Sequence, residues 1–300
     1  MDFLSVADLG REGLAEVLAA AASVKADPGR VAGRLAGRKV GLFFEKPSTR
    51  TRVSCEVAAA DLGAVPLVLK QDEVGLGKRE SVADVARTLD RYLDVLAFRV
   101  FRHGDLVTVA AHAAAPVVNL LSDREHPCQA LADLQTLAEA RPLPGAKLAY
   151  VGDGNNVCHS LLLGAALSGV SMRVASPAGY EPAEEVVEQA RALGGPDVEI
   201  SVGRDPSAAV RGADAVYTDV WASMGQEAEA AERRRLFAPF QVNEALFALA
   251  GEGAIFLHCL PAHRGDEVTD GVADHERSRI FDQAENRMHA FKALLLHVAG

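Results

Sequence analysis

Three hundred residues, 49% of them hydrophobic and 24% charged, suffice for two domains with separate cores. A formal net charge of −10 argues against a nucleic-acid or anionic-membrane partner, and no apolar run is long enough to span a bilayer. The four cysteines stand far apart without a C-x-x-C pair, and Met1-Asp2-Phe3-Leu4-Ser5 lacks the basic start of a secretory leader, so a cytoplasmic protein with reduced thiols is expected.

The chain opens with an Ala-rich helical stretch ending near Asp27-Pro28-Gly29. Strands and helices then alternate. Strand Val40–Phe44 is followed by a helix over 48–62, strand Val65–Leu69 and a polar loop, Lys70 to Arg79. A helix over Ser81–Arg91, strand Val95–Phe98, a helix around Leu106–Ala113 and strand Pro116–Leu120 come next, then a helix from Pro127 to about Ala140. The breaker cluster Arg141-Pro142-Leu143-Pro144-Gly145 marks a domain boundary. The pattern restarts with strand Lys147–Val151, a helix over Val157–Ser168, strand Arg173–Ala175 and a helix over 182–193. Strands Val198–Val202, Ala215–Thr218 and Ala254–His258 follow, with a closing helix over Glu285–Val298. Such alternation predicts an α/β fold: two doubly wound parallel-sheet domains of similar size, with the active site in the cleft between them. The expected domains are 1–140, with the closing helix of about 284–300 packing back on it, and 141–283.

The densest chemistry lies in Glu45-Lys46-Pro47-Ser48-Thr49-Arg50-Thr51-Arg52-Val53. Ser48 is placed to N-cap the following helix, which puts Arg50 and Arg52 in its first turn, the wrong end for a cation on the macrodipole. An anion at the helix mouth removes the conflict, since free N–H groups, guanidiniums and hydroxyls converge on it; a solvated surface helix start is the plainer alternative. Arg99 stands at the end of a strand, as either ligand or surface charge. His126-Pro127-Cys128-Gln129 opens a helix, with His126 and Gln129 able to donate to a carbonyl oxygen gaining charge, or simply to cap it. Tyr150-Val151-Gly152-Asp153-Gly154-Asn155-Asn156 resembles a dinucleotide turn, but Val157 stands where the third glycine belongs. The amides of Asn155 and Asn156 suit an amino acid better than a pyrophosphate. Asp219, with Ser223 and Met224 in the loop ending at Gly225, offers a carboxylate for an ammonium group, or serves as a turn former. In His258-Cys259-Leu260-Pro261 the thiol invites nucleophile or metal readings, yet the histidines and cysteines lack ligand spacing and no metal is expected.

Together these segments resemble the transcarbamoylase family in its ornithine branch. The matching pieces are Ser48-Thr49-Arg50-Thr51-Arg52, His126-Pro127-Cys128-Gln129, Asp219-Val220-Trp221-Ala222-Ser223-Met224-Gly225, His258-Cys259-Leu260-Pro261 and Phe281-Asp282-Gln283-Ala284-Glu285-Asn286-Arg287-Met288-His289, in the family's order from about Phe3 to His297. The resemblance implies that Ser48, Thr49, Arg50 and Thr51 hold the phosphate of carbamoyl phosphate. It implies that Arg99, His126 and Gln129, with Thr51, polarise its carbonyl, and that Cys259, Leu260 and Arg287 also line that substrate. Asn156, Asp219, Ser223 and Met224 would bind L-ornithine, with Cys259 beside its δ-amine. The implied reaction yields citrulline for arginine biosynthesis without a metal or organic cofactor. It runs in a homotrimer whose Lys70–Ser81 loop enters a neighbouring site. Gly75 departs from the family pattern, which has Gln or His there, so Lys78 or Arg79 is expected to take over the contact. The alternatives are a sister transcarbamoylase acting on putrescine or an acylated ornithine, an NAD-linked oxidoreductase built on the Gly152–Asn156 turn, and a non-catalytic binding protein.

Overall fold

Every strand pairing in the two sheets is parallel, as the strand–helix alternation demands, because parallel neighbours need a crossover that a helix supplies. The computed structural model describes residues 1–222 and 229–300 and divides into two compact units, Met1–Gln135 with Glu285–Gly300, and Thr136–Ala284. The division falls within the helices Pro127–Ala140 and Ile280–Ala299.

The first unit holds β1 (Lys39–Phe44), β2 (Val65–Lys70), β3 (Val95–Arg99) and β4 (Val117–Leu121), in the order β2-β1-β3-β4. β3 is buried throughout and β1 from its second residue on, which is why they read as unbroken apolar runs. The Phe43 and Phe98 rings pack 5.0 Å apart within the core. The outer edge of β4 is covered by the N-terminal segment: Phe3 N–H donates to the Val117 carbonyl at 2.8 Å, and Asn119 N–H to the Phe3 carbonyl at 2.8 Å. Edge strand β2 stays partly exposed.

The second unit holds β5 (Lys147–Val151), β6 (Ser171–Ala175), β7 (Ile200–Gly203), β8 (Ala215–Thr218) and β9 (Ile255–His258), in the order β7-β6-β5-β8-β9. Its core includes Ala149, Val151, Val216, Phe240 and Phe256. In both sheets the order reverses beside the first strand, between β1 and β3 and between β5 and β8. Parallel sheets form ligand crevices at the carboxyl ends of such switch points.

Several expected boundaries move. The helix placed around Leu106 starts at His103, the closing helix starts at Ile280, and the polar loop after β2 holds a short turn of helix, Gln71–Val74. The helices Pro206–Val210, Ala230–Phe237 and Glu244–Phe247 have no counterpart in the sequence reading. They are short and weakly patterned, so hydrophobic period gives them little signal.

Gly154 is packed closely against the backbone of 180–182. A Cβ there would sit 2.1 Å from Pro182 N and 2.4 Å from the Glu181 carbonyl carbon, and Gly154 N–H donates to the Tyr180 carbonyl at 2.8 Å. The protein's own backbone thus fills the space that a side chain at 154 would need. Because backbone cannot rotate aside, Gly154→Ala is expected to destabilise the second unit by about 3 kcal/mol. A lowered urea midpoint checks this, and an unchanged midpoint would mean that the Glu181–Pro182 segment yields easily.

Candidate active site

In the first unit, polar side chains gather at the carboxyl ends of β1, β3 and β4. The helix Thr49–Asp61 leaves β1 with Ser48 as its N-cap (φ −153°, ψ 107°), yet no side chain caps its first-turn N–H groups. The Ser48 hydroxyl donates instead to Thr51 Oγ1 at 3.1 Å. The mouth therefore keeps its outward N–H donors for a ligand. The two arginines separate: Arg52 turns along the helix to Glu56 at 3.3 Å, while Arg50 stands exposed with no carboxylate partner among the described residues. Thr49 is exposed beside it, Ser48 is half-buried and Thr51 is buried.

Arg287, on the helix Ile280–Ala299, is buried in the same unit. Its Nη2 donates to Thr51 Oγ1 at 3.3 Å and its Nη1 to Gln129 Oε1, while Gln129 Nε2 donates to Asp133 Oδ1 at 2.6 Å. Both ends of the Gln129 amide are thus engaged, and in this state the side chain holds Arg287. Arg99 ends β3 and is buried at 7% exposure. His126 immediately precedes the helix Pro127–Ala140, also buried. Burial, then the Arg287 and Arg99 guanidiniums, hold its imidazole well below the usual histidine range, opposed by a bond to the Leu120 carbonyl. A neutral imidazole beside two guanidiniums makes a local positive field that suits an anion. Cys55 and Cys128 lie buried nearby, the first pushed up to about 12 and the second higher still, mainly by burial; both are inert thiols.

The depressed His126 titration has a direction. The unfolded chain binds the proton from about pH 6.5 downward while the folded chain resists it, so this residue's contribution to stability is full above that pH and is lost as pH falls. Inorganic phosphate, by offsetting Arg287 and Arg99, is expected to raise the His126 pKa. Imidazole NMR titrations with and without phosphate check this, and an unmoved pKa would place the anion elsewhere.

In the second unit the side chains converge at the ends of β5, β8 and β9, where Asp219 is the hub. Asn155 N-caps the helix Asn156–Ser168, its Oδ1 accepting from Val157 N at 3.0 Å and Cys158 N at 3.2 Å. Its Nδ2 donates to Asp219 Oδ2 at 2.8 Å, the Cys259 thiol donates to Asp219 Oδ1 at 2.9 Å, and Val220 N–H donates to the same oxygen at 2.8 Å. Asp219 is thereby oriented by three donors, with acceptor capacity left on Oδ2 for an ammonium group. Asn156, expected to bind ligand, begins the helix and is half-buried; the amide that reaches Asp219 is that of Asn155. Ser223 and Met224 lie outside the described residues.

Beside Cys259, His258 Nδ1 accepts from Leu260 N–H at 2.9 Å, so its proton is on Nε2, which donates to Glu267 Oε1 at 3.1 Å with both side chains fully buried. Leu260 carries a left-handed φ of 60°, held by that bond at the sheet's end. Asp219, His258 and Cys259 bring potential ligand atoms within 4.8 Å of one another. Each is already engaged: the thiol by Asp219 and the imidazole on both nitrogens. Neither Glu267 nor Asn155 as the partner of Asp219 was foreseen. Asn155 had a signal, an Asn directly before a helical run; Glu267, in the irregular segment after β9, had none.

Two family models match the chain in succession. Residues 1–139 match the carbamoyl-P binding domain of aspartate/ornithine carbamoyltransferase, and residues 144–298 match its Asp/Orn binding domain. The ornithine carbamoyltransferase of Parasynechococcus marenigrum is 53% identical over 300 residues, covering 100% of this chain and 94% of that protein. That of Anoxybacillus flavithermus is 51% identical, covering 98% and 95%. The solved ornithine carbamoyltransferase of Pyrococcus furiosus superposes with a TM-score of 0.96 at 48% identity, covering 100% of this chain and 97% of that one. Among the described residues no helix is long and apolar enough to cross a membrane. The chain belongs to the aspartate/ornithine carbamoyltransferase family.

Proposed function

We propose that the protein transfers the carbamoyl group from carbamoyl phosphate to the δ-amine of L-ornithine, giving L-citrulline and phosphate. The observation that carries this reading is the uncapped helix mouth at Ser48–Thr51, next to a neutral His126 flanked by Arg99 and Arg287. Phosphate is bound by the N–H groups of the first turn with Ser48, Thr49 and Arg50. Arg99, His126 and Thr51 donate to the carbonyl oxygen, and Arg287, steadied by Gln129, lies against the carbamoyl group with Leu260 and Cys259. The neutral δ-amine forms the new N–C bond, and the C–O bond to phosphate breaks with its electron pair. The donors stabilise the tetrahedral oxyanion between these events, and the amine proton leaves to solvent or to the departing phosphate. Asp219 takes the α-ammonium of ornithine, with Asn156, Ser223 and Met224 completing the amino-acid contacts. Cys259, tied to Asp219, lies beside the δ-amine and assists its deprotonation, the ammonium proton passing to solvent before attack, without forming a covalent bond.

Residues 1–140 with the closing helix serve carbamoyl phosphate in this account, and 141–283 serve ornithine. We place the enzyme in the cytoplasm, in arginine biosynthesis, working without a metal or organic cofactor. A homotrimer accounts for the exposed apolar side chains Val53 and Val57 on the helix Thr49–Asp61 and Val65 and Leu67 on β2. In the Lys70–Ser81 loop, Gly75 has φ 69° and a Cβ there would meet Arg79 Cβ at 2.7 Å, so the turn requires glycine. Arg79 Nη2 is occupied by the Glu73 carbonyl at 3.0 Å, which leaves Lys78 to reach a neighbouring copy's phosphate. Lys78→Ala is expected to raise the KM for carbamoyl phosphate about 10-fold. Steady-state kinetics check it; if Lys78→Ala and Arg79→Ala both leave that KM unchanged, the loop has no such role.

Formation of the ureido product of each acceptor by purified protein, citrulline in the case of ornithine, tests the reaction. L-Ornithine should be turned over far faster than putrescine or N-acetylornithine. Preference for either of those would make the protein a sister transcarbamoylase, and phosphate release without an acceptor requirement would overturn transfer altogether.

A further inference from the structure

Among the described residues of the second unit, outside the Asp219 hub, lies a buried Arg233–Asp153 ion pair that the proposed reaction does not use. Arg233, on the helix Ala230–Phe237, is 5% exposed. Its Nη1 donates to Asp153 Oδ2 at 2.8 Å and to the Trp221 carbonyl at 2.9 Å, and its Nε donates to Glu229 Oε2 at 3.1 Å. The guanidinium lies 4.7 Å from the Tyr180 ring centre and 5.9 Å from that of Phe237, which also packs near Trp221. So bulky and desolvated a seat is costly, and an ion pair of this kind contributes little net stability compared with apolar residues of the same shape. Its placement suggests what it is for. Asp153 belongs to the turn that ends in Asn155, and its carbonyl accepts from Tyr150 Oη, which also donates to Asn155 Oδ1 at 3.2 Å. Trp221 lies two residues beyond Asp219. Arg233 thus ties together the two chain segments whose side chains, Asn155 and Asp219, are bonded at the switch point between β5 and β8.

We infer that Arg233, through Asp153 and the Trp221 carbonyl, is a positioning residue that sets where the Asp219 carboxylate stands, and hence how well the amino-acid substrate is held. The inference rests on the proposed assignment of Asp219 to the α-ammonium of ornithine. Burial pushes the Asp153 carboxyl up to about 6, against the pull of Arg233, so the pair is made only because the guanidinium is there. Loss of the tether lets the Trp221 backbone shift, and a displacement of roughly 1 Å at a substrate-positioning group is enough to cost about 10²-fold.

The test uses Arg233→Met, Arg233→Lys and Asp153→Asn in the full-length protein, with citrulline kinetics and tryptophan emission as readouts. Trp221 is the protein's single tryptophan, so its emission reports this seat without any reaction. Arg233→Met should raise the KM for ornithine at least ~10-fold while the KM for carbamoyl phosphate stays within about twofold, with Trp221 emission red-shifted. Arg233→Lys should recover part of both effects. Asp153→Asn, nearly isosteric, should move ornithine KM in the same direction by less, and it carries the test if Arg233→Met does not fold. Unchanged ornithine KM in folded variants, or equal shifts in both substrates, overturns the inference. Should the wild type make no citrulline, the reaction assignment fails by itself, and Trp221 emission in the variants still decides whether Arg233 seats this turn.

Discussion

Arg50→Ala is expected to lower kcat/KM for carbamoyl phosphate by about 10³-fold, with little change in the KM for ornithine. The size follows from what remains at the helix mouth. Arg52 is bound to Glu56, and Arg287 is committed to Thr51 and Gln129, so Arg50 is the uncommitted guanidinium in the first turn among the described residues. Removing it leaves backbone N–H groups, hydroxyls and the neighbouring copy's Lys78 to hold a multiply charged phosphate, without a guanidinium fork on it. Arg50→Lys should recover only part of the loss, since an ammonium lacks the two-pronged donor geometry that fits a phosphate. Steady-state kinetics with each substrate varied in turn decide the matter; a loss below about tenfold would mean that the phosphate lies elsewhere.

Asp219→Asn is expected to raise the KM for ornithine about 10²-fold while carbamoyl phosphate binding is kept. The substitution preserves shape but removes the charge that meets an ammonium, and it turns one oxygen into a donor. Asn155 Nδ2 and the Cys259 thiol both donate to the carboxylate, so one of them would face a donor in the variant. Isothermal titration with phosphate should show unaltered anion affinity. A variant that lost both affinities would mark Asp219 as a folding residue rather than a ligand.

The sheets were legible in the sequence because buried parallel strands write themselves as continuous apolar runs, and the ends of those strands located the polar residues that matter. Ser48 was readable as an N-cap, and two arginines in the first helical turn signalled an anion by breaking a local rule. What could not be read were partners far apart in sequence. Arg287 and Gln129 are separated by 158 positions, and no periodicity announces that the amide is spent on Arg287 and Asp133. Likewise Arg233 sits in a run of three arginines that looks solvent-facing, yet its guanidinium is buried against Asp153 and Tyr180. The Gly152–Asn156 turn has the outline of a dinucleotide turn, yet Val157 already replaces its third glycine, and Gly154 packs against Glu181 and Pro182 in a way no local pattern announces. Helix boundaries slipped where capping residues were ambiguous, as at His103 and Ile280.

The most direct test of the account is a crystal structure of the protein soaked with carbamoyl phosphate or a stable phosphonate mimic. The account predicts phosphate or phosphonate density at the start of the helix Thr49–Asp61, within hydrogen-bond distance of its first-turn N–H groups and of the Arg50 guanidinium. A donor bound with its phosphate group away from residues 48 to 51, for example at the mouth of the helix capped by Asn155, would contradict it.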